Sequence, residues 1–276
     1  TRLVSDWSSD VCSSDLQTAE LEGFPGFPEF NKKGALTFNS GALERSISLT
    51  SKSIAAEKGR YALNGVKITP AADRVEFCGT DGRRLAFVGL NVKAKTLEFP
   101  VILPRRGIEV LSRVAARQPD SEILLDIREN EMVVKTGGMV VSTLLVEGQY
   151  PDYWSVIPRK NDKKEVVNRL ELMNALRIVS HLTSIESQIV SFDISSNDMT
   201  LATKSFGTGS AEAKVAVTYD GPELKIGFDP RFVSEGLALM NKADVVIELK
   251  DPQTGAIFHE GDKESFFFLV MPLEVE

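Results

Sequence analysis

Apolar positions along this chain alternate between a period of two and a period near 3.6, and the same succession of periods occurs twice. In the first unit Ala35-Leu36-Thr37-Phe38 reads as a strand. Leu43, Ile47 and Ile54 then fall on one side of a helix predicted from about Ser40 to Ala56. Strand-like runs follow at Arg74–Thr80 and Leu85–Val88. Asp81-Gly82 stands between them, as a tight hairpin turn requires. An extended run then ends near Pro104, and a second helix is predicted from Arg105 to Arg117 with Ile108, Leu111, Val114 and Ala115 as its apolar stripe. Strands Glu122–Ile127 and Met132–Lys135 close the unit.

The second unit repeats this order. Val166 and Val167 precede a helix from Arg169 to Leu182, striped by Leu172, Ala175, Leu176 and Val179. Strands Ile189–Ile194 and Met199–Thr203, an extended run, a helix from Pro230 to Lys242, and strands Asp244–Leu249 and Phe266–Met271 follow. A short motif marks the same repeat. Leu21-Glu22-Gly23 with Phe27-Pro28-Glu29-Phe30 recurs as Val146-Glu147-Gly148 with Tyr150-Pro151-Asp152-Tyr153, about 125 residues later, the size of an ordinary domain. A polar linker follows each copy, Asn31–Gly34 and Arg159–Lys164. The expected architecture is α+β: tandem repeats over 34–157 and 158–276 with helices on one face of antiparallel sheets, preceded over 17–33 by the tail of another copy.

Residues 1–16 do not belong to this pattern. They show no periodicity, carry Ser-Ser-Asp twice, and resemble a translated sequencing-library adapter. They lack the apolar stretch and cleavage site of a signal peptide. The expectation is a disordered end without function, Trp7 and Cys12 included, with the protein proper starting near Gln17.

Composition narrows the class further. Hydrophobic residues make up 42% and charged residues 26%, as in soluble globular proteins. The run Phe266–Met271 is strand-length, far short of the roughly 20 residues of a membrane helix, so no membrane association is expected. Two cysteines, Cys12 and Cys78, give neither a disulfide framework nor metal spacing, which favours a reducing cytoplasm. His181 and His259 have no acid partner at a recognisable spacing, and no glycine-rich phosphate loop occurs. No catalytic residue, metal or cofactor is expected. Cys78, inside a strand-like run, is read as buried packing.

The net charge of −7 argues at first sight against nucleic acid. The predicted helices nevertheless concentrate Arg45, Lys52, Arg105, Arg106, Arg113, Arg117, Arg169, Arg177, Arg231 and Lys242 against only Glu44, Glu109, Glu171 and Glu235. Helices of this kind are either ordinary solvated faces or surfaces presented to phosphate by an otherwise acidic protein.

Several segments together resemble the bacterial DNA sliding clamp, the beta subunit of DNA polymerase III. They are Arg60-Tyr61-Ala62-Leu63-Asn64-Gly65, Thr80-Asp81-Gly82-Arg83-Arg84-Leu85-Ala86, Val101-Ile102-Leu103-Pro104-Arg105-Arg106, Tyr150-Pro151-Asp152-Tyr153 and Val270-Met271-Pro272-Leu273, in family order over nearly all of 17–276. The resemblance implies the second and third DNA-clamp domains plus the end of the first. It implies a non-catalytic processivity factor that slides on double-stranded DNA without reading sequence. The full-length parent would be a homodimeric ring, whereas the chain as written is expected to stay monomeric.

The resemblance also implies a pocket for short linear motifs of polymerase subunits, clamp loader and repair proteins. Its wall would be Leu63, Thr80, Gly82, Arg84, Leu85, Pro151, Val156, Val270, Met271, Pro272 and Leu273, with Phe232 where the family commonly has tyrosine. DNA contacts would come from Arg60, Tyr61, Arg105 and Arg106, then Arg45 and Lys52. Ser155 stands where some members have arginine, and the ending Leu273-Glu274-Val275-Glu276 is more acidic than usual. The rival readings are a clamp paralogue without a replicative role, and a two-domain α+β enzyme using scattered carboxylates.

Overall fold

The structure, a computed structural model, describes residues 26, 29–32, 35–56, 61–71, 73–92, 99–182, 189–205 and 209–275. The expectation for residues 1–16 therefore lies outside the described residues, as do Arg60 and most of the segment 17–33.

Among the described residues the two units have the same order of elements. The first runs β1 (Leu36–Asn39), α1 (Ser40–Ser51), β2 (Gly65–Pro70), β3 (Arg74–Thr80), β4 (Arg84–Asn91), β5 (Val101–Pro104), α2 (Arg105–Ala116), β6 (Glu122–Ile127), β7 (Glu131–Thr136) and β8 (Met139–Leu144). The second runs β9 (Lys163–Asn168), α3 (Arg169–Ser180), β10 (Val190–Ile194), β11 (Asp198–Ser205), β12 (Gly209–Tyr219), β13 (Leu224–Phe228), α4 (Pro230–Ala238), β14 (Asp244–Leu249), β15 (Ala256–His259) and β16 (Phe266–Val270). All strand pairs among these residues are antiparallel. The two helices of each unit pack together and cover one sheet face, as the sequence pattern predicts.

Three helices start alike. Asn39 before α1, Asn168 before α3 and Asp229 before α4 each accept backbone N–H groups of the first turn on their side chains. Their ends differ from the sequence expectation. Helix α1 stops at Ser51 instead of Ala56, because the Ser53 amide tightens onto the Thr50 carbonyl and the Ala55 amide leaves to bond the Leu63 carbonyl. Helix α4 stops at Ala238 instead of Lys242. The amides of Asn241 and Lys242, which would have continued it, donate to the Glu260 carboxylate. Helix α3 ends two residues early, at Ser180. Strands β2, β8, β12 and β15 have no counterpart in the predicted set. The weak strand formers Gly209, Ala211, Glu212 and Lys214 hide β12, which is held by its neighbours β11 and β9.

Each unit has its own core, and a third cluster joins them. The junction is a strand pair. β4 of the first unit and β16 of the second run antiparallel with Leu85 opposite Leu269 and Phe87 opposite Phe267, so β2 to β5 and the whole second unit form one 12-stranded sheet. Three arginines of the first unit meet glutamates of the second across this line: Arg45 with Glu260, Arg74 with Glu264 and Arg84 with Glu235.

Candidate functional site

The third cluster is where the candidate residues converge. On one face of the β4–β16 pair, Leu85 and Leu269 form a rung that is buried with Leu63, Phe87, Ile257 and Phe267, with Met271 half-buried against it. Leu269 and Met271 lie side by side over Gly255: a methyl group built there would be 3.2 Å from both the Leu269 Cδ2 and the Met271 sulfur. The backbone of Met271 continues the ladder, its amide donating to the Arg83 carbonyl at 2.8 Å.

The β3–β4 hairpin closes one end of this floor. Asp81 accepts the amides of Arg83 and Arg84 at 2.9 and 3.1 Å, and the Thr80 hydroxyl donates to the Arg84 carbonyl at 2.6 Å while accepting the Gly82 amide. Gly82 adopts φ 91°, a left-handed conformation that glycine tolerates without strain. These bonds fix the origin of the Arg84 side chain. Its guanidinium reaches the second unit, pairs with Asp81 and Glu235, and lies 4.5 Å from the centroid of the Phe232 ring.

The segment Tyr150–Ile157 forms a second wall. Tyr150 donates its hydroxyl to the Cys78 carbonyl, and Tyr153 donates to the buried carboxylate of Glu76, which Arg74 also holds. Burial pushes both phenols and the Cys78 thiol above their ordinary values, which keeps all three neutral. With two tyrosines anchored, Pro151, Trp154 and Val156 are left facing solvent, Val156 with 53% of its surface exposed. The C-terminal segment supplies the third wall. The Leu273 amide donates to the Gly227 carbonyl, which holds exposed Leu273 beside the end of β13, just before α4.

The structure thus brings Leu63, Leu85 and Met271 together, with Pro151 and Val156 on the segment beside them. Thr80, Gly82 and Arg84 form the adjoining hairpin, and Phe232 is bound to it through Arg84. Val270 is not among them. It is fully buried in the core of the second unit with Ala86 and Phe268, on the sheet face where Arg84 and Phe232 also lie, opposite to Leu85 and Leu269. Leu269 occupies the groove side instead. Strand alternation could have found it, since Met271 fixes the face and residues two apart share it.

The candidate cationic residues divide into two places. Arg105 and Arg106 are exposed at the start of α2, and Arg105 donates to the Ala55 carbonyl at 3.2 Å. That bond draws α2 toward the end of α1, where Lys52 is exposed, and toward the short turn Tyr61–Asn64. Arg45, two helical turns earlier on α1, stands 3.9 Å from Glu260 and is partly neutralised by it. On α2 the buried side is Gly107, Ile108, Leu111 and Ala115, and Arg106, Arg113 and Arg117 point outward.

Of the histidines, His181 is exposed at the end of α3. His259 is buried and does have an acid neighbour invisible in the sequence spacing: its Nε2 is 3.7 Å from Glu248. Burial opposes ionisation of Glu248, but Lys263 and Lys164 outweigh it and hold the carboxyl below its usual range. Among the described residues no group of three or more His, Cys, Asp or Glu side chains is placed to hold a metal ion. No helix among them is long and apolar enough to cross a membrane.

Known proteins match both units. Residues 37–152 fit the DNA polymerase III beta subunit central domain, and residues 154–274 fit its C-terminal domain. The beta sliding clamp of Pseudomonas aeruginosa is 29% identical over 263 residues, covering 94% of this chain and 71% of the relative. The crystal structure of the DNA polymerase III subunit beta from the same organism superposes with a TM-score of 0.87 at 28% identity, over 93% of this chain and 70% of that one. A sliding clamp from Bartonella birtlesii bound to griselimycin gives 0.86 at 26% identity, over 92% and 70%.

Proposed function

This chain belongs to the bacterial DNA sliding clamps, the beta subunits of DNA polymerase III, and its function is that of a DNA polymerase processivity clamp; we propose that the groove around Leu85, Leu269 and Met271 is where it tethers its partners. The observation that supports this reading is a buried apolar cluster, Leu63, Leu85 and Leu269 with Met271 half-buried against it, bordered by anchored segments that expose apolar side chains. Pro151, Val156 and Leu273 are exposed around it, while every backbone segment that carries them is pinned by a named hydrogen bond. Such a site accepts an extended peptide with alternating apolar side chains, and a methionine wall adapts to different sequences. Short linear motifs of DNA polymerase subunits, the clamp loader and repair proteins are the occupants.

Duplex DNA would be met by Lys52, Arg105 and Arg106, with Arg60 and Tyr61 next and Arg45 in a weaker role. These contacts would be to phosphate, without base recognition. The functional domains would be 34–157 and 158–276. The protein acts in the cytoplasm without catalysis of its own, as a subunit of a homodimeric ring. Similarity along both units disfavours the enzyme reading.

The test is fluorescence anisotropy of a labelled clamp-motif peptide titrated with this chain and with Met271→Ala. Saturable binding that weakens in the variant supports the site. A folded chain that does not bind the peptide refutes the tethering reading.

A further inference from the structure

Trp154 stands beside the groove and has no part in the tethering contacts. It sits between Pro151 and Val156 on the same wall, 40% exposed. Its ring is nevertheless held. It meets Phe87 edge-on with centroids 5.3 Å apart, and Tyr153 at 5.5 Å. Its backbone amide is capped by the Asp152 carboxylate at 3.2 Å. Phe87 follows Leu85 by two residues on one face of β4, about 7 Å along the strand. The exposed indole therefore extends the Leu85–Leu269 floor by one rung, in the direction of Phe87 and Phe267.

We propose that Trp154 is a specificity-determining residue of this groove, receiving a large apolar or aromatic side chain that flanks the core motif of a partner peptide. The inference rests on the tethering reading and adds a second contact to it. Three observations favour this occupant. The platform is continuous with the groove. It is pre-organised, so an incoming ring meets it without the cost of ordering a free side chain. The cations that lie over the neighbouring rings are already engaged: Lys67 over Tyr150 and Tyr153, and Arg74 over Phe87 while paired with Glu76 and Glu264. An aromatic or large apolar flank would find an edge or face of the indole that no other side chain of the cluster covers.

The experiment uses the full chain with Trp7→Phe, which leaves Trp154 as its only tryptophan. Two clamp-motif peptides are compared, one with Phe and one with Ala on both sides of the motif. Binding is read by anisotropy and by indole emission. The Phe-flanked peptide is expected to bind about three- to tenfold more tightly and to shift the emission. In Trp154→Ala that ratio falls to one, and in Trp154→Phe it is retained in part. An equal affinity for the two peptides, or a preference that survives Trp154→Ala, overturns the proposal while leaving the tethering reading intact. Absence of binding by either peptide to any variant overturns both.

Discussion

Phe87 of β4 and Phe267 of β16 are opposite residues in one antiparallel rung, and their rings stack with centroids 5.0 Å apart and planes 17° from parallel. The pair belongs to neither repeat alone. It makes the junction part of a continuous sheet with its own apolar cluster, so the floor of the groove is as buried as the interior of either unit.

Truncating Phe87 to alanine removes that stack and leaves a cavity beneath Trp154. The expected loss is about 3–5 kcal/mol of unfolding free energy, read by urea titration. The double variant with Phe267→Ala should lose less than the two single losses together, because the partners share one interaction. Strict additivity would show that the rings do not interact.

Arg84→Ala removes a guanidinium that links the β3–β4 hairpin to Glu235 and Phe232 of α4. Stability should fall by about 1 kcal/mol, since Glu235 is half exposed and the ion pair is screened. Affinity for the clamp-motif peptide should fall severalfold in the same variant. Unchanged affinity would remove Arg84 and Phe232 from the site.

Glu165 on β9 is fully buried with both carboxyl oxygens unpartnered, and burial pushes it from its ordinary value of about 4.5 up to about 8. The folded chain thus keeps a proton at neutral pH that the unfolded chain releases. Its contribution is fully present below pH 4.5 and is lost as pH rises through about 8, on the order of 5 kcal/mol in all. Glu165→Gln should gain on the parent chain across that window and track it below. Parallel curves of stability against pH for the two proteins would refute this assignment.

Arg105 donates to the Ala55 carbonyl, three residues beyond exposed Lys52, and exposed Arg106 follows it at the start of α2. Replacing all three by alanine should weaken duplex binding for every sequence tested. The slope of log K against log salt should become shallower by roughly 0.9 for each phosphate that is no longer neutralised. An unaltered slope would place the DNA-binding surface elsewhere.

Much of this protein was legible in its sequence because much of it is periodic. The stripe Ile108, Leu111 and Ala115 identifies the buried side of α2, and the Asp81-Gly82 turn locates the β3–β4 hairpin. The succession of elements declares the repeat, since local propensity and binary pattern agree within each unit. Other features depend on partners far along the chain. Helix α4 ends where it does because Glu260 captures the amides of Asn241 and Lys242. Val270 faces the core and Leu269 the groove because β16 pairs with β4 in one register, and a shift of one residue would exchange them. The acid beside His259 and the burial of Glu165 are likewise invisible to spacing, because β14 brings both about through cross-strand neighbours. Sequence determined the elements and their repetition. Tertiary structure decided which faces meet at the junction, because pairing across β4 and β16 joins residues roughly 180 positions apart and no local rule couples them.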